Sequence, residues 1–515
     1  MPLSQEHKGI TFTKTLPLLE LDEKDFTDKK NSKFLYCRGF LLCENNDIKL
    51  TDSFTKSTID LGSRSYSLYT HDMLEVEKAS DNNVLLYVMG FTYFTNTKYI
   101  DDNISNAQIL LNEFNKSKHD FLMSLNSLAG RYCIIIKNKN ELLVYNDASA
   151  LKSVYYSRTH NVIASHLELV NLALGGKLEK SEVELNKQKN NYYYAYTYLG
   201  NFTNYKDVFC LTPNFELTFE DTSNGCVEKR FYPMYKKKSD TLENVKKEYY
   251  DIMQISIKEL LKKNRKICLS LTGGKDSRVS YYTIKDYVKD VIFFTEERDN
   301  DIEISKNLAL KDNLKWIGVD SRDINLEDNP LKKGFQEIIT KNVFPSQCQF
   351  VLRGQFWNLN IFGCKNYIHI QSNCAETGRG RKSFYAYFSD SWNFDNFKNE
   401  FVRLMSFWKP QEFKDKQTEK VNNDPEFLRL LKSFYDLLNL DAVKELGYNP
   451  WDFVYNEHRV ANFLSQTHMY NDICFESISL TNCREIFETM WKLPEKDINR
   501  SNLLYNSILK DNNAE

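Results

Sequence analysis

The first 235 residues alternate short apolar runs with polar turns. Two of these runs, 132–136 and 142–145, are separated by Lys137-Asn138-Lys139-Asn140-Glu141, a polar stretch typical of a hairpin turn. Many short strands that follow one another closely favour a layered, β-rich domain over a doubly wound parallel sheet. We therefore predict a first domain over residues 1–235 that consists mainly of antiparallel strands.

The hydrophobic pattern changes near residue 236. Leu242, Val245 and Tyr249 recur at helical spacing, and apolar strands then alternate with longer helical segments. This alternation predicts an α/β domain with a parallel sheet over residues 236–515. From about residue 390 the pattern is mainly helical, and we interpret its many aromatic residues as packing between helices.

Composition and charge narrow the classes of function. The chain has 515 residues, of which 42% are apolar, and 68 Lys and Arg against 70 Asp and Glu give a net charge of −2. Such a length predicts two or three domains. The charge balance gives no electrostatic reason to expect a nucleic acid or a membrane surface as partner.

The cysteines and the apolar runs indicate the cellular compartment in which we expect the protein. The 11 cysteines form no C-x-x-C pair, which favours buried thiols in a reducing compartment and gives no reason to expect zinc. The N-terminal residues lack the pattern of a secretory signal, and the apolar runs are too short to span a membrane. We expect a cytoplasmic protein.

The chemistry is indicated by the segment Thr272-Gly273-Gly274-Lys275-Asp276-Ser277. It follows the apolar strand 266–271 and opens a helix. The glycines allow close approach of a polyphosphate, with free N–H groups directed at its oxygens, and the helix N-terminus adds partial positive charge. Ser277 can donate a hydrogen bond to phosphate, whereas Asp276 would repel phosphate unless it held a bridging Mg²⁺. A Walker A spacing is absent.

This segment resembles the S-G-G-x-D-S signature of the PP-loop ATP pyrophosphatases, with Thr272 in place of the first serine. The resemblance implies that ATP is cleaved between its α and β phosphates. The loop would hold the departing pyrophosphate while a substrate oxygen takes AMP. The residues that it implies for ATP binding are Leu269, Ser270, Thr272, Gly273, Gly274, Lys275, Asp276, Ser277 and Thr295.

Further segments resemble asparagine synthetases. They are the strand–helix–strand series 291–295, 301–309 and 314–319, and the turn 372–380 after the strand-like run 367–370. The resemblance implies that Glu376 lies beside pyrophosphate and metal, so that Asp276 and Glu376 would bind Mg²⁺. Arg379 or Arg381 would then face phosphate or a substrate carboxylate.

The family also carries a substrate-facing lysine in its late helical region, after a proline. The nearest equivalents here are Arg500 and Lys496, and we take Arg500 as the third candidate catalytic residue beside Asp276 and Glu376.

The first domain resembles class II glutamine amidotransferases in the segments 128–132, 153–156 and 211–213 and in Asp147. The resemblance implies an α+β fold, a β-sandwich flanked by helices. That family uses a cysteine at the mature N-terminus as nucleophile. This chain begins with Met1-Pro2, and its first cysteine is Cys37, so we expect the scaffold without glutaminase activity.

Together these features predict an ATP-dependent, AMP-forming ligase that adenylates a carboxylate and forms an amide or closes a ring. The expected partners are a small-molecule or peptide carboxylate and an amine or ammonia donor, with ATP and Mg²⁺ as cofactors, and a homodimer is compatible with the sequence. Two alternatives stay open: a non-catalytic nucleotide-binding scaffold, and a PP-loop enzyme that modifies tRNA.

Overall fold

The computed structural model describes residues 10–12, 32–44, 48–190, 198–221, 225–289, 291–296, 299–319, 331–344, 348–363, 367–379, 392–406, 409–493 and 500–514. The strands are β1 Ile10–Phe12, β2 Phe40–Cys43, β3 Phe54–Leu61, β4 Arg64–His71, β5 Val76–Ser80, β6 Val84–Phe94, β7 Leu128–Asn138, β8 Glu141–Asn146, β9 Tyr155–Ser157, β10 Val162–Ala164, β11 Val208–Cys210, β12 Phe215–Glu220, β13 Cys226–Arg230, β14 Lys266–Ser270, β15 Ile292–Glu296, β16 Lys315–Val319, β17 Tyr367–Ile370 and β18 Glu476–Ile478.

The helices are α1 Asn106–Lys116, α2 Lys118–Asn126, α3 Leu167–Ala173, α4 Glu182–Asn190, α5 Leu242–Leu261, α6 Lys275–Ile284, α7 Asp299–Asp312, α8 Lys332–Asn342, α9 Cys348–Phe362, α10 Ala375–Arg379, α11 Phe394–Met405, α12 Gln411–Asn422, α13 Pro425–Leu438, α14 Leu440–Glu445, α15 Pro450–Val454, α16 Ser465–Asn471, α17 Arg484–Trp491 and α18 Arg500–Asp511, with a π-helical segment at Tyr455–Leu464 between α15 and α16. Within the described ranges, no helix combines the length and the apolar character that a membrane crossing requires.

Two antiparallel sheets form the N-terminal part. Their strand orders are β11-β9-β10-β2-β4-β3 and β13-β12-β8-β7-β6-β5. Alternate side chains of both sheets, among them Leu42, Met89 and Ile135, meet in one buried core. The sequence prediction of a β-sandwich is therefore confirmed, and β7 and β8 form the predicted hairpin, with Lys139 in the left-handed region at φ 49°.

Helices cover the outer faces of the sandwich. Leu110 and Phe121 from α1 and α2 pack in one cluster with Ile134 of β7. On the other sheet, Val170 of α3 packs in one cluster with Leu41 of β2. These layers confirm the predicted α+β class, because helices pack on both sheets in clusters separate from the core between the sheets.

A parallel sheet organises the second half of the chain. Its order is β1-β16-β15-β14-β17-β18, and every neighbouring pair is parallel. The chain winds outward from β14 to β15 and β16, then returns to add β17 and β18 on the other side of β14. Open α/β sheets bind ligands in the crevice at such a reversal, outside the carboxyl ends of the strands. The reversal lies between β14 and β17, so it brings the segments after both strands together.

The edge strand β1 was not anticipated from the sequence. It comes from residues 10–12 but pairs with β16 of the parallel sheet, in the register Ile10 to Trp316. The C-terminal region is helical as predicted, and aromatic side chains such as Phe401, Phe434 and Trp451 pack in a common core there.

Buried ion pairs join the sandwich to the second half of the chain. Arg131 donates to both carboxylate oxygens of Asp472 at 2.5 and 2.7 Å, and Arg38 donates to Glu476 at 3.0 Å. All four side chains are at most 3% exposed. Burial opposes the charge on Arg131, but the carboxylate of Asp472 overcomes that effect and raises the pKa of the guanidinium.

We expect Arg131→Met to lower the free energy of unfolding by about 3–5 kcal/mol, because it leaves the Asp472 carboxylate buried without its partner. Urea denaturation measured by circular dichroism would test this. The matched control is Arg429→Met, which removes an ion pair with Glu182 whose side chains are 60% and 61% exposed. That loss should cost about 1 kcal/mol or less. Equal effects of the two substitutions would contradict the structural role given to Arg131.

Candidate functional site

The predicted phosphate loop lies at the carboxyl end of β14. Gly274 caps α6 with extended φ and ψ of −65° and 150°, and the helix begins at Lys275. A Cβ at position 273 would lie 2.8 Å from Ile304 Cδ1 and 2.9 Å from Asp301 Oδ1. A larger residue at 273 would therefore have to push aside the ends of the Ile304 and Asp301 side chains of α7, at the point where the strand turns into the helix.

Three backbone N–H groups of this loop already donate hydrogen bonds to oxygens of the protein. The Gly273 N–H donates to Asp301 Oδ1 at 2.8 Å, and the Gly274 N–H donates to Thr272 Oγ1 at 3.1 Å. Ser277 Oγ accepts from the Thr272 N–H at 3.0 Å. The expectation of free N–H groups is thus not met at these three positions, because nearby side chains satisfy donors that would be costly to leave unpaired. A bound phosphate would have to displace these side-chain acceptors.

Two predicted ATP-binding residues, Leu269 and Lys275, have other surroundings than we expected, whereas a third, Thr295, lines a cavity beside the loop and also makes hydrogen bonds within the fold. The Leu269 side chain is fully buried in the core under the sheet. Lys275 Nζ donates to Asn506 Oδ1 of α18 at 2.7 Å. Thr295 Oγ1 donates to the Leu271 carbonyl oxygen at 2.5 Å and accepts from Trp316 Nε1 at 3.0 Å, so it ties β15 to the strand before the loop.

The two predicted metal-binding carboxylates approach one guanidinium. Arg379 donates to Asp276 Oδ2 at 2.9 Å, and its Nη2 lies 4.0 Å from Glu376 Oε1. Burial opposes the charge of Arg379, but the carboxylates of Asp276 and then Glu376 outweigh it and raise the pKa of the guanidinium. The prediction that Asp276 and Glu376 belong to one site agrees with this arrangement. Arg500 begins α18, and its side chain lies outside what the structure describes, as do Arg381 and Lys496.

The acidic pair is compatible with Mg²⁺ bound together with phosphates. Mg²⁺ commonly takes one or two carboxylates and completes its coordination with phosphate oxygens and water. Across the described part of the chain, no group of three or more His, Cys, Asp or Glu residues could hold a metal by itself. The donor set therefore fits a nucleotide-bound ion, provided that Arg379 turns from Asp276.

A cavity of about 300 Å³ opens beside the loop. Its loop side is lined by Ser270, Thr272, Gly274, Asp276 and Ser277. A second group of lining residues, here called the amide side, consists of Glu296, Gln355, Asn358, Gln371 and Asn471. The volume is within the range of small-molecule sites, and polar side chains converge on it from several elements.

A hydrogen-bonded dyad joins the two sides. Ser270 Oγ lies 2.5 Å from His369 Nε2, and His369 Nδ1 lies 3.1 Å from Ser477 Oγ of β18. Asn471 donates to the same Ser477 oxygen at 3.2 Å and accepts from Gln355 Nε2 at 2.8 Å. Burial lowers the pKa of His369 to about 3, so the imidazole is neutral near pH 7.

The loop side could be predicted from the sequence, but the amide side could not. His369 carried the one available signal, as a polar residue within the apolar strand β17. Glu296, Asn358 and Asn471 had none, because they come from three elements that only the folded chain brings together.

Comparisons with known proteins give weak similarities. No protein-family model matches the chain, and no curated protein sequence matches it. Similar solved structures include "the allosteric regulatory enzyme of purine biosynthesis", at 10% identity over 58% of this chain and 77% of that chain with a TM-score of 0.25. A glutamine phosphoribosylpyrophosphate amidotransferase from B. subtilis, complexed with ADP and GMP, has 12% identity over 67% and 72% and a TM-score of 0.23.

An NH3-dependent NAD synthetase from Campylobacter jejuni, in complex with the nitrate ion, has 16% identity over 41% of this chain and 98% of that chain, with a TM-score of 0.20. At these scores the likenesses support no functional assignment, which has to come from the site itself.

We expect the free energy of unfolding to fall as the pH drops from about 6.5 toward 3, in part because of His369. In that window the unfolded chain binds a proton on this residue and the folded chain does not, so acid favours unfolding. His369→Gln should reduce the slope by about 1.4 kcal/mol per pH unit between pH 6 and 4. Urea denaturation at several pH values measures it.

The control for this experiment is His119→Gln, since the His119 side chain is exposed on α2. It should leave the slope of the wild type in place. If His369→Gln also left the slope unchanged, the imidazole would not be held neutral in the folded protein.

Proposed function

We propose that the chain is an ATP-dependent, AMP-forming ligase, similar to asparagine synthetases, that adenylates a carboxylate and then forms an amide or closes a ring. The observation that supports this most is the position of the loop 272–277. It opens α6 at the reversal of a parallel sheet, lines a cavity, and its own Asp276 pairs with Arg379, which Glu376 also approaches. Each feature suits a polyphosphate whose outer end has to be held while bonds change.

Different groups of the protein would hold the phosphates of ATP and the metal ion. The hydroxyls of Thr272 and Ser277 lie 3.1 Å apart and line the cavity, so both can donate to the β and γ phosphates. The N-terminus of α6 adds partial positive charge at the same place. Asp276 and Glu376 would hold Mg²⁺, which neutralises the charge that develops on pyrophosphate. Arg379, released from Asp276, would then contact phosphate oxygens.

The proposed reaction has two steps. A carboxylate oxygen of the substrate forms a bond to the α phosphorus, the bond to the bridging oxygen breaks, and pyrophosphate leaves with that electron pair. An amine or ammonia nitrogen then attacks the acyl carbon, loses a proton, and displaces AMP. In the first step the loop would stabilise the leaving group, once its N–H donors turn from their present protein acceptors to the pyrophosphate oxygens.

A second candidate is the non-catalytic nucleotide-binding scaffold. The ion pair between Arg379 and Asp276 favours it, because in this arrangement the protein supplies its own cation at the carboxylate that would otherwise bind the metal. Such a protein would bind ATP without releasing pyrophosphate.

We expect Asp276→Asn to reduce ATP–pyrophosphate exchange at least about 100-fold, because the substitution removes the charge that would hold the metal at the leaving group. Exchange would be screened in the wild type with amino acids, peptides and sugar acids. The matched control is Asp286→Asn, an exposed carboxylate just beyond the end of α6, which should retain wild-type exchange.

Three results would decide between the two candidates. Exchange that depends on Asp276 would support the ligase. Nucleotide binding measured by calorimetry, with no exchange for any acid, would support the scaffold. Exchange that survives in Asp276→Asn would contradict the role proposed for this residue.

A further inference from the structure

A carboxylate and a buried amide meet on the amide side of the cavity. Glu296, the last residue of β15, accepts a hydrogen bond from Asn358 Nδ2 of α9 at 2.8 Å. Both residues line the cavity. Because a carboxylate accepts hydrogen bonds and cannot donate them when ionised, this contact fixes which way the Asn358 amide is turned.

The other end of that amide has no donor. Asn358 is only 3% exposed, and its Oδ1 accepts no hydrogen bond from any residue within the described ranges. A buried carbonyl oxygen without a donor costs free energy, so a polar lining residue in this state points to a ligand that would supply an N–H or O–H group.

The backbone of α9 makes room for the carboxylate. A Cβ at position 354 would lie 1.5 Å from Glu296 Oε1 and 2.2 Å from its Cδ. The Glu296 carboxylate therefore occupies the space that any larger residue at 354 would fill. Glycine at this position in the middle of a helix is unfavourable by itself, and here it seats the acidic group against the helix.

We propose that Glu296 and Asn358 form an amine-binding subsite at the amide side of the cavity. The two side chains present acceptors, and the carboxylate adds negative charge, so the group that fits is a primary amine or ammonium. A carboxylate or phosphate placed there would be repelled. A ligand with its anionic end at the loop 272–277 and its amino group at Glu296 matches both sides of the cavity.

Two sources could supply this amino group: the exocyclic amine of the ATP base, and an amino group on the substrate acid. The inference rests on the proposed function in that both ligands belong to that reaction. Both sources present N–H donors to Glu296 and Asn358, the substrate amino group as a cation and the exocyclic amine as a neutral group, so the experiment has one arm for each.

The test is calorimetric binding to the full chain with paired probes. One arm compares ATP with purine riboside triphosphate, which lacks the exocyclic amine. The other compares alanine with propionate, and glucosaminate with gluconate. In at least one of the two arms, the wild-type protein should bind the ligand with the amine at least about tenfold more tightly than the matched ligand without it. This is the usual effect of a hydrogen bond to a charged group.

The variants assign that preference to the subsite. Glu296→Gln keeps the shape and removes the charge, whereas Gly354→Ala displaces the carboxylate and keeps the charge. Both should reduce the preference to about twofold or less. The control Glu303→Gln removes an exposed carboxylate on α7 and should keep the full preference.

Separate results would overturn the subsite and the proposed function. Equal binding of both members of every pair, or a preference that survives in Glu296→Gln, overturns the subsite even if ATP–pyrophosphate exchange is observed. A preference for an amine that depends on Glu296, in a protein that shows no exchange, supports the subsite and contradicts the ligase. Absence of binding by every probe contradicts both.

Discussion

Buried ion pairs attach one short segment, residues 471–477, to the sandwich, and this segment links the contact between the two halves of the chain to the cavity. Asp472 and Glu476 of this segment are held by Arg131 and Arg38 of the sandwich through buried ion pairs. Because charged groups at such depth are stable only when they are paired, the segment has little freedom to move without a large loss of free energy.

The same segment contributes to the cavity. Asn471 precedes Asp472 and contacts Gln355, while Ser477 follows Glu476 and contacts His369. Each ion pair with the sandwich is thus one peptide unit away from a residue that lines the cavity or contacts its lining. The N-terminal half therefore has a structural role in holding residues beside the cavity, whether or not it performs chemistry itself.

The parts of the site that could be predicted from the sequence are those made within one stretch of chain. The turn at Gly273 and Gly274, the helix start at Lys275 and the position of Ser277 beside the cavity follow from local backbone geometry. The β7–β8 hairpin and the alternation of strands and helices after residue 236 were predictable for the same reason. In each case, neighbouring residues hold the information.

The missing parts depend on contacts between distant residues. Lys275 was expected at the phosphates, but its partner Asn506 lies 231 residues away along the chain. The loop amides were expected to be free, but Asp301 of α7 satisfies one of them, at Gly273. No periodicity or motif connects such residues, because only the packing of α7 and α18 around α6 brings them together.

Arg379 shows what this packing means for chemistry. It carries positive charge to the place where the sequence predicted a metal, and it reaches Asp276 from α10, on the far side of the strand reversal. Magnesium would have to compete with a guanidinium that is already paired. In the proposed function, a nucleotide would change that balance, because its phosphates would offer Arg379 new oxygens and offer the metal additional ligands at the same moment. Binding of the metal and binding of the nucleotide would then be coupled, because each would relieve the competition that opposes the other.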